Sequence, residues 1–198
     1  MNSKTIALIV VFAALTAVLS IFSPIRIPAP YALFLIYQIW EIPIVVAFIL
    51  FGPLVGVATV AINTIVLLAV FPGSLPVGPL YNFAAVLSML FGIYIAFKLV
   101  RGSSLRSEAL RPVFSTFLGC VLRVVVMTVV NWIFLRYPYP VGYSMPDAAL
   151  LAMLPIIGVF NFTIALYTVP LGHCVARIIS VGMKVKEWSQ TLESPEKV

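Results

Sequence analysis

The sequence predicts an all-α polytopic membrane protein, a bundle of six transmembrane helices with the N and C termini in the cytoplasm. Of its 198 residues, 63% are hydrophobic and only 9% are charged, whereas about a quarter of the residues in a soluble domain are charged. Between Glu41 and Lys98 the chain carries no acidic or basic residue. This run of about 56 residues exceeds the roughly 20 that one membrane helix needs and fits three short helices. The apolar runs are continuous, which favours helices over a membrane barrel.

Proline and glycine mark the boundaries of the predicted spans. Gly52-Pro53 predicts a tight turn between two helices. The proline-rich stretch 71–79 cannot continue a helix, because proline lacks the N–H and clashes with the preceding turn. Pro112 begins a span, where its missing N–H costs nothing. The six predicted spans are 5–25, 40–51, 54–70, 80–97, 112–134 and 156–178.

Three further segments need an interpretation of their own. The first span follows Lys4 and exceeds the apolar core of a signal peptide, so we expect a retained helix. Three prolines within 23–31 predict an irregular loop. Residues 147–154 predict a short helix that lies on the bundle and ends at Pro155.

The basic residues predict the orientation of the bundle. Six spans place both termini on one side, together with Lys4, the basic loop 98–111 and the basic segment 177–186. The positive-inside rule makes this side the cytoplasm. The sequence therefore predicts one transmembrane domain, residues 1–180, in the plasma membrane and a cytoplasmic tail, residues 181–198. The net charge of +6 is then a signal of orientation, not of nucleic-acid binding.

Four polar side chains fall at one predicted depth, near the outer ends of four helices: Glu41, Asn82, Asn131 and Asn161. Polar side chains in membrane helices face the bundle interior, because hydrocarbon leaves them without hydrogen-bond partners. They could join helices to one another or line a ligand pocket. The predicted outer loops, 23–39, 71–79 and 135–155, are rich in proline and aromatic residues and could cover such a pocket. The set as a whole favours the pocket.

Aromatic residues stand next to these polar groups, namely Trp40, Tyr81, Tyr37 and Trp132. Flat apolar walls with a few amide groups suit a planar heteroaromatic ligand. The alternative is an aromatic belt at the membrane interface.

The remaining ionisable and sulfur-containing residues in the spans give weaker signals. Arg123, near the middle of the fifth span, could reach the interface, pair with Glu41 or contact an acidic group on a partner. His173 has no acidic residue or second histidine in register and reads as a core residue. Cys120 and Cys174 lack the spacing of metal ligands and read as small buried side chains, so no metal site is predicted.

Two other classes of protein fit the sequence less well. An intramembrane enzyme would use Glu41, Arg123 or His173, but the predicted topology places these residues at three different depths and no catalytic motif is present. A stand-alone carrier would show inverted internal repeats, and the sequence shows none. In the first span, Ala13 and Ala17 have the small-xxx-small spacing that lets two helices approach closely. Taken alone, this spacing is also typical of ordinary packing inside a bundle.

An ordered series of short motifs over nearly the whole chain resembles the S-components, the substrate-binding subunits of energy-coupling factor (ECF) vitamin transporters, and most closely their riboflavin-binding branch. The series comprises Ala13-x-x-x-Ala17, Glu41-Ile42-Pro43, Phe51-Gly52-Pro53-Leu54-Val55-Gly56, Pro76-Val77-Gly78-Pro79 with Asn82-Phe83, Met127-Thr128 with Asn131, and Phe160-Asn161.

The resemblance implies a six-helix subunit that has no catalysis and no catalytic cofactor of its own. Ala13 and Ala17 would contact a transmembrane T-component, whose two partner ABC ATPases drive uptake. Asn131 and Asn161 would contact a vitamin near the outer surface. The branch has an Asp where this chain has Glu41, and a Lys where it has Ile164. Riboflavin is the first candidate ligand, and another water-soluble vitamin or precursor is the alternative.

Overall fold

The computed structural model of the protein describes residues 2–22, 27–70, 75–101 and 110–188. Parts of several predicted segments lie outside these ranges. They are the end of the first span and the start of the loop 23–31, the start of the loop 71–79, most of the basic loop 98–111 with Arg106 and Glu108, and the end of the tail. Within the described ranges, six α-helices and two short strands are present.

Five of the six helices are long and apolar enough to cross a membrane. The helices are α1 Ser3–Phe22, α2 Glu41–Phe51, α3 Pro53–Val70, α4 Gly78–Arg101, α5 Leu110–Phe134 and α6 Asp147–Met183. The exception is α2, whose 11 residues extend about 16 Å at 1.5 Å per residue, roughly half of the hydrocarbon core. The six predicted helices are therefore present, but α2 alone is too short to complete a sixth span.

The segment that leads into α2 is a β-hairpin. Strands β1 Ile27–Ala29 and β2 Ala32–Tyr37 pair in antiparallel fashion, with Ile27 opposite Tyr37 and Pro28 opposite Ile36. The predicted irregular loop, 23–31, begins outside the described residues, and from Ile27 onward the prediction was wrong. Proline is compatible with an edge strand, because there its missing N–H need not join a ladder. The run Ala-Leu-Phe-Leu-Ile-Tyr in β2 is rich in residues that favour strands.

Helix α6 continues without a break from Asp147 to Met183 and contains both Pro155 and Pro170. The predicted short helix 147–154 and the predicted stop at Pro155 were therefore wrong. A proline inside a membrane helix is tolerated where neighbouring helices and local adjustment satisfy the freed backbone group. The 37 residues of α6 would extend about 55 Å, well beyond a hydrocarbon core of about 30 Å.

Helix α2 lies in the middle of the bundle. All its residues from Pro43 to Leu50 are buried, as expected for a helix that is apolar on every side. It packs against α6, α3 and α1, while α4 packs against α5 and α5 against α6. The backbones of α4 and α5 approach so closely at Gly92 that a Cβ there would overlap the carbonyl of Leu118.

One end of the bundle, which we call the closed end, is filled by aromatic rings. After α6, Lys184 adopts a left-handed conformation and the chain turns back, which brings Trp188 against the Gly52 turn. The ring of Trp188 stacks on Tyr94 at a centroid distance of 6.2 Å and meets Phe48 edge-on at 6.1 Å. Trp188, in the predicted tail, therefore packs against the bundle.

Candidate functional site

The opposite end, which we call the cavity end, contains a cavity of about 230 Å³. Its walls come from the end of α1, the hairpin, the start of α2, the start of α4, the end of α5 and the first half of α6. The short α2 explains why the cavity is there, because a helix that begins at Glu41 leaves the space beyond it to be enclosed by its neighbours.

The residues that the sequence singled out for ligand binding line this one cavity. They are Trp40, Glu41, Tyr81, Asn82, Asn131 and Asn161. Trp40, Glu41, Asn131 and Asn161 are buried, whereas Asn82 is exposed at the mouth. The structure thus brings the predicted set together, and their binding of a ligand stays a prediction. Trp132 is not among the lining residues; its ring is 43% exposed and stacks under Arg136 at 4.5 Å.

A buried ion pair forms the inner wall of the cavity. The guanidinium of Arg123 donates through Nη2 to Oε1 of Glu41 at 2.9 Å and through Nη1 to Oε2. Arg123 is 2% and Glu41 is 4% exposed. Of the three alternatives that the sequence left open for Arg123, pairing with Glu41 is the one that the structure contains. Arg–carboxylate pairs with two parallel bonds are among the strongest hydrogen-bonded contacts in proteins.

The predicted separation in depth between Glu41 and Arg123 was wrong. Glu41 is the first residue of a helix of only about half the membrane thickness, so it lies deep in the bundle and level with the middle of α5. His173 does not join them. Its ring packs edge-on against Phe97, at a centroid distance of 5.9 Å, toward the closed end.

Two asparagines complete the polar wall. Asn161 accepts from Nε of Arg123 at 3.1 Å and donates to the carbonyl of Ile157 at 2.9 Å, so its amide orients the guanidinium. Asn131 donates to the carbonyl of Met127 at 2.7 Å, which leaves its Oδ1 to accept from a ligand. The sulfur of Met89 lies 3.6 Å from Nη1 of Arg123. Met89 could not be predicted from the sequence, because a methionine in an apolar helix carries no local signal.

The hairpin covers one side of the cavity. Leu35, Ile36 and Gln38 line it. Two contacts with α6 hold the hairpin in place: the ring of Tyr37 lies 4.9 Å from that of Phe160, and the hydroxyl of Tyr167 donates to the carbonyl of Gln38 at 2.6 Å. A loop predicted to lie over the pocket is therefore a structured wall.

The predicted docking residues of α1 differ in exposure. Ala13 is only 4% exposed and lies on the buried face of α1 with Ile9, Thr16 and Ser20. Ala17 is half-buried at the edge of that face. Partner docking through these two alanines stays a prediction, and Ala17 is the one that a partner could reach without rearrangement of the bundle.

No group of three or more His, Cys, Asp or Glu side chains within the described ranges could hold a metal ion. Both cysteines are free thiols, and the predicted burial is confirmed for Cys120 but was wrong for Cys174, which is exposed.

The fold and the site define a class: a helical membrane protein with a ligand-sized cavity at one end of its bundle. The family described as "ECF transporter, substrate-specific component" matches residues 4–175. The chain therefore belongs to the S-components of ECF transporters, which are substrate-binding transporter subunits and not enzymes.

A solved structure described as the S component of a bacterial ECF transporter is similar to this chain with a TM-score of 0.75. The match covers 93% of this chain and 99% of that one, at 20% sequence identity, a level at which the likeness shows the fold. The comparison with curated proteins yields no match.

Proposed function

We propose that this S-component captures a water-soluble vitamin, or a related compact molecule, at the outer face of the plasma membrane. It delivers the molecule inside a complex with a transmembrane T-component and two ABC ATPases. The single observation that carries the proposal is the convergence of six polar and aromatic side chains, from four helices, on one cavity beside a buried ion pair.

Riboflavin is the first candidate substrate because the chain resembles the riboflavin-binding branch. Another water-soluble vitamin or precursor is the second candidate. The aromatic walls formed by Trp40, Tyr81 and Phe160 suit a flat ring system. Two observations favour the second candidate. Ile164 lines the cavity where the riboflavin branch would supply an amine, and the cavity of about 230 Å³ is smaller than the roughly 300–1,000 Å³ of pockets for drug-sized ligands.

The distribution of basic residues supports an outward-facing cavity. Lys4, Lys98 and Lys184 lie at the ends of helices that converge on the closed end, and basic residues favour the cytoplasmic side. In this arrangement residues 1–180 form the transmembrane domain, and residues 181–198 begin on the cytoplasmic side.

Purification followed by identification of the bound molecule tests the proposal directly. Absorbance of a yellow preparation and mass spectrometry of the released ligand would distinguish a flavin from any other vitamin. Titration of the ligand-free protein with the identified molecule, in wild-type and Asn131→Ala forms, then tests the cavity. We expect the variant to bind about 5- to 30-fold more weakly, as for loss of one or two kcal/mol. Unchanged affinity in both Asn131→Ala and Asn161→Ala would exclude this cavity as the binding site.

Docking of the T-component is tested separately. Ala17→Trp places a large ring on the half-buried edge of α1 and should reduce co-purification with the T-component and uptake, while ligand binding by the isolated subunit persists. Val129→Trp is the matched control, because Val129 is 49% exposed on α5, away from α1. Full complex formation by Ala17→Trp would exclude the predicted docking face.

A further inference from the structure

The described side chains that line the cavity have a net charge of zero. Among the described residues that line it, Glu41 and Arg123 are the charged side chains, and each neutralises the other through two hydrogen bonds. The other lining groups with hydrogen-bonding side chains are uncharged: amides and hydroxyls, such as those of Gln38, Asn131 and Tyr81, and the indole of Trp40.

The guanidinium of Arg123 is already engaged on every nitrogen. Nε donates to Asn161, Nη2 donates to Glu41, and Nη1 donates to Glu41 and lies against the sulfur of Met89. One N–H of Nη2 has no partner among the described residues, but a carboxylate that accepted from it would lie beside the carboxylate of Glu41 and be repelled. An incoming carboxylate could take more of the guanidinium only by displacing Glu41, which would leave a buried carboxylate without its partner. Removal of one partner from a buried ion pair is strongly unfavourable, because the remaining charge is desolvated and uncompensated. A substrate cation at Glu41 would meet the guanidinium at short range and be repelled.

The cavity still offers hydrogen-bond acceptors. Each carboxylate oxygen of Glu41 has further lone pairs after accepting from Arg123, and Asn131 uses its Nδ2 on the Met127 carbonyl, so its Oδ1 can accept. A ligand that reaches this wall therefore gains most if it brings N–H or O–H donors without a net charge.

On the basis of the proposed capture function, we infer that the Glu41–Arg123 pair selects a substrate whose inserted end is uncharged and carries N–H or O–H donors, and that it discriminates against carboxylates and cations. The pair acts as a neutral acceptor surface. A charged group at the other end of the substrate would remain near the exposed Asn82 at the mouth and would not be subject to this selection.

A binding panel with matched charges tests this inference. The probes are riboflavin and nicotinamide, whose rings are uncharged, nicotinate, which carries a carboxylate on the same small ring, and 1-methylnicotinamide, which is a cation of the same size. Each is titrated against the purified full-length protein in lipid nanodiscs. We expect the tightest uncharged probe to bind at least about tenfold more tightly than any probe that must insert a charge.

Variants that change the charge of the cavity wall should change which probe binds most tightly. Glu41→Gln leaves Arg123 unpaired and should favour nicotinate over nicotinamide by about tenfold. The double variant Glu41→Gln with Arg123→Gln removes both charges and should return the preference to nicotinamide. Asn131→Asp, which adds a carboxylate without touching the pair, should shift the preference toward 1-methylnicotinamide and serves if Glu41→Gln does not fold.

The outcomes separate the two proposals. Wild-type binding of nicotinate or 1-methylnicotinamide as tight as that of nicotinamide would overturn the selection by charge and leave the capture function standing. An unchanged order of preference in the folded charge variants would do the same. Binding of no probe, together with no co-purifying molecule, would overturn both the selection and the capture function.

Discussion

The two ends of this bundle differ in how their interior is filled. At the cavity end, the helices terminate at different levels, a hairpin covers the space between them, and a buried ion pair lies beneath it. At the closed end, the tight Gly52 turn and the ring of Trp188 fill the interior with aromatic contacts. The difference shows how one short helix creates a one-sided receptor: α2 is packed tightly at its last turn and leaves open space beyond its first.

The ion pair should be the most sensitive feature of either end. Arg123→Ala leaves the Glu41 carboxylate buried without a partner, and we expect it to lower the free energy of unfolding by about 3–5 kcal/mol. Arg136→Ala is the matched control, because Arg136 contacts Asp147 at 3.5 Å with both side chains exposed, and exposed pairs contribute about 0–1 kcal/mol. Thermal or denaturant unfolding in detergent measures both. Equal, small effects would mean that the pair does not stabilise the cavity end.

Between the two ends, the close approach of α4 and α5 should be the next most sensitive feature. In Gly92→Ala the added methyl would overlap the Leu118 carbonyl, and the two helices would have to separate. We expect a loss of about 1–3 kcal/mol, as for other overpacked interiors. Gly158→Ala is the control, since the nearest atom to its Cβ would be a methyl of Val124 at 3.8 Å. An unfolding midpoint for Gly92→Ala equal to that of Gly158→Ala would contradict the close crossing.

The closed end can be weakened on its own. Trp188→Ala removes a half-buried ring that contacts Phe48, Tyr94 and Phe97, and we expect a loss of about 1–2 kcal/mol, because only part of the ring is removed from solvent. Ligand affinity should stay unchanged, because the ring lies away from the cavity. Tyr139→Ala, at a residue that is 69% exposed, should have little effect on either quantity. A large drop in ligand affinity for Trp188→Ala would show that the two ends are coupled.

The sequence predicted the helices well for a physical reason. A backbone in lipid must satisfy its own hydrogen bonds, so long apolar runs specify helices almost without regard to tertiary context. Polar side chains in lipid likewise need hydrogen-bond partners, which predicts that Glu41, Asn131 and Asn161 face the bundle interior. The structure places them around one cavity.

The predictions that were wrong also have physical explanations. Pro28 and Pro155 suggested breaks, but an edge strand and a packed membrane helix can each accommodate a proline. The contact of Glu41 with Arg123 could not be derived from counting residues along spans, because the depth of Glu41 depends on how short α2 is. That length is set by the hairpin before it, and the pairing of the hairpin strands is a tertiary feature.

The smallest expected effect concerns the rim of the cavity. The hydroxyl of Tyr81, at the start of α4, donates to the carbonyl of Val141, in the loop between α5 and α6, at 2.8 Å. Tyr81→Phe keeps the ring on the cavity wall and removes this one hydrogen bond, so we expect stability to fall by about 0.5–1.5 kcal/mol. Because the bond joins two walls of the cavity mouth, its loss should raise the dissociation rate of a bound ligand more than it lowers the association rate.

Stopped-flow release of the co-purified ligand measures the dissociation rate in the wild-type protein and in Tyr81→Phe. Tyr137→Phe provides a control on the same loop, since Tyr137 is 52% exposed and does not line the cavity. If Tyr81→Phe and Tyr137→Phe release the ligand at the same rate, the rim does not hold the ligand in place, and retention must come from the deeper wall formed by Glu41 and Arg123. If Tyr81→Phe alone is faster, the cavity end contains two separable elements: an ion-pair wall that selects the ligand and a hydrogen-bonded rim that retains it.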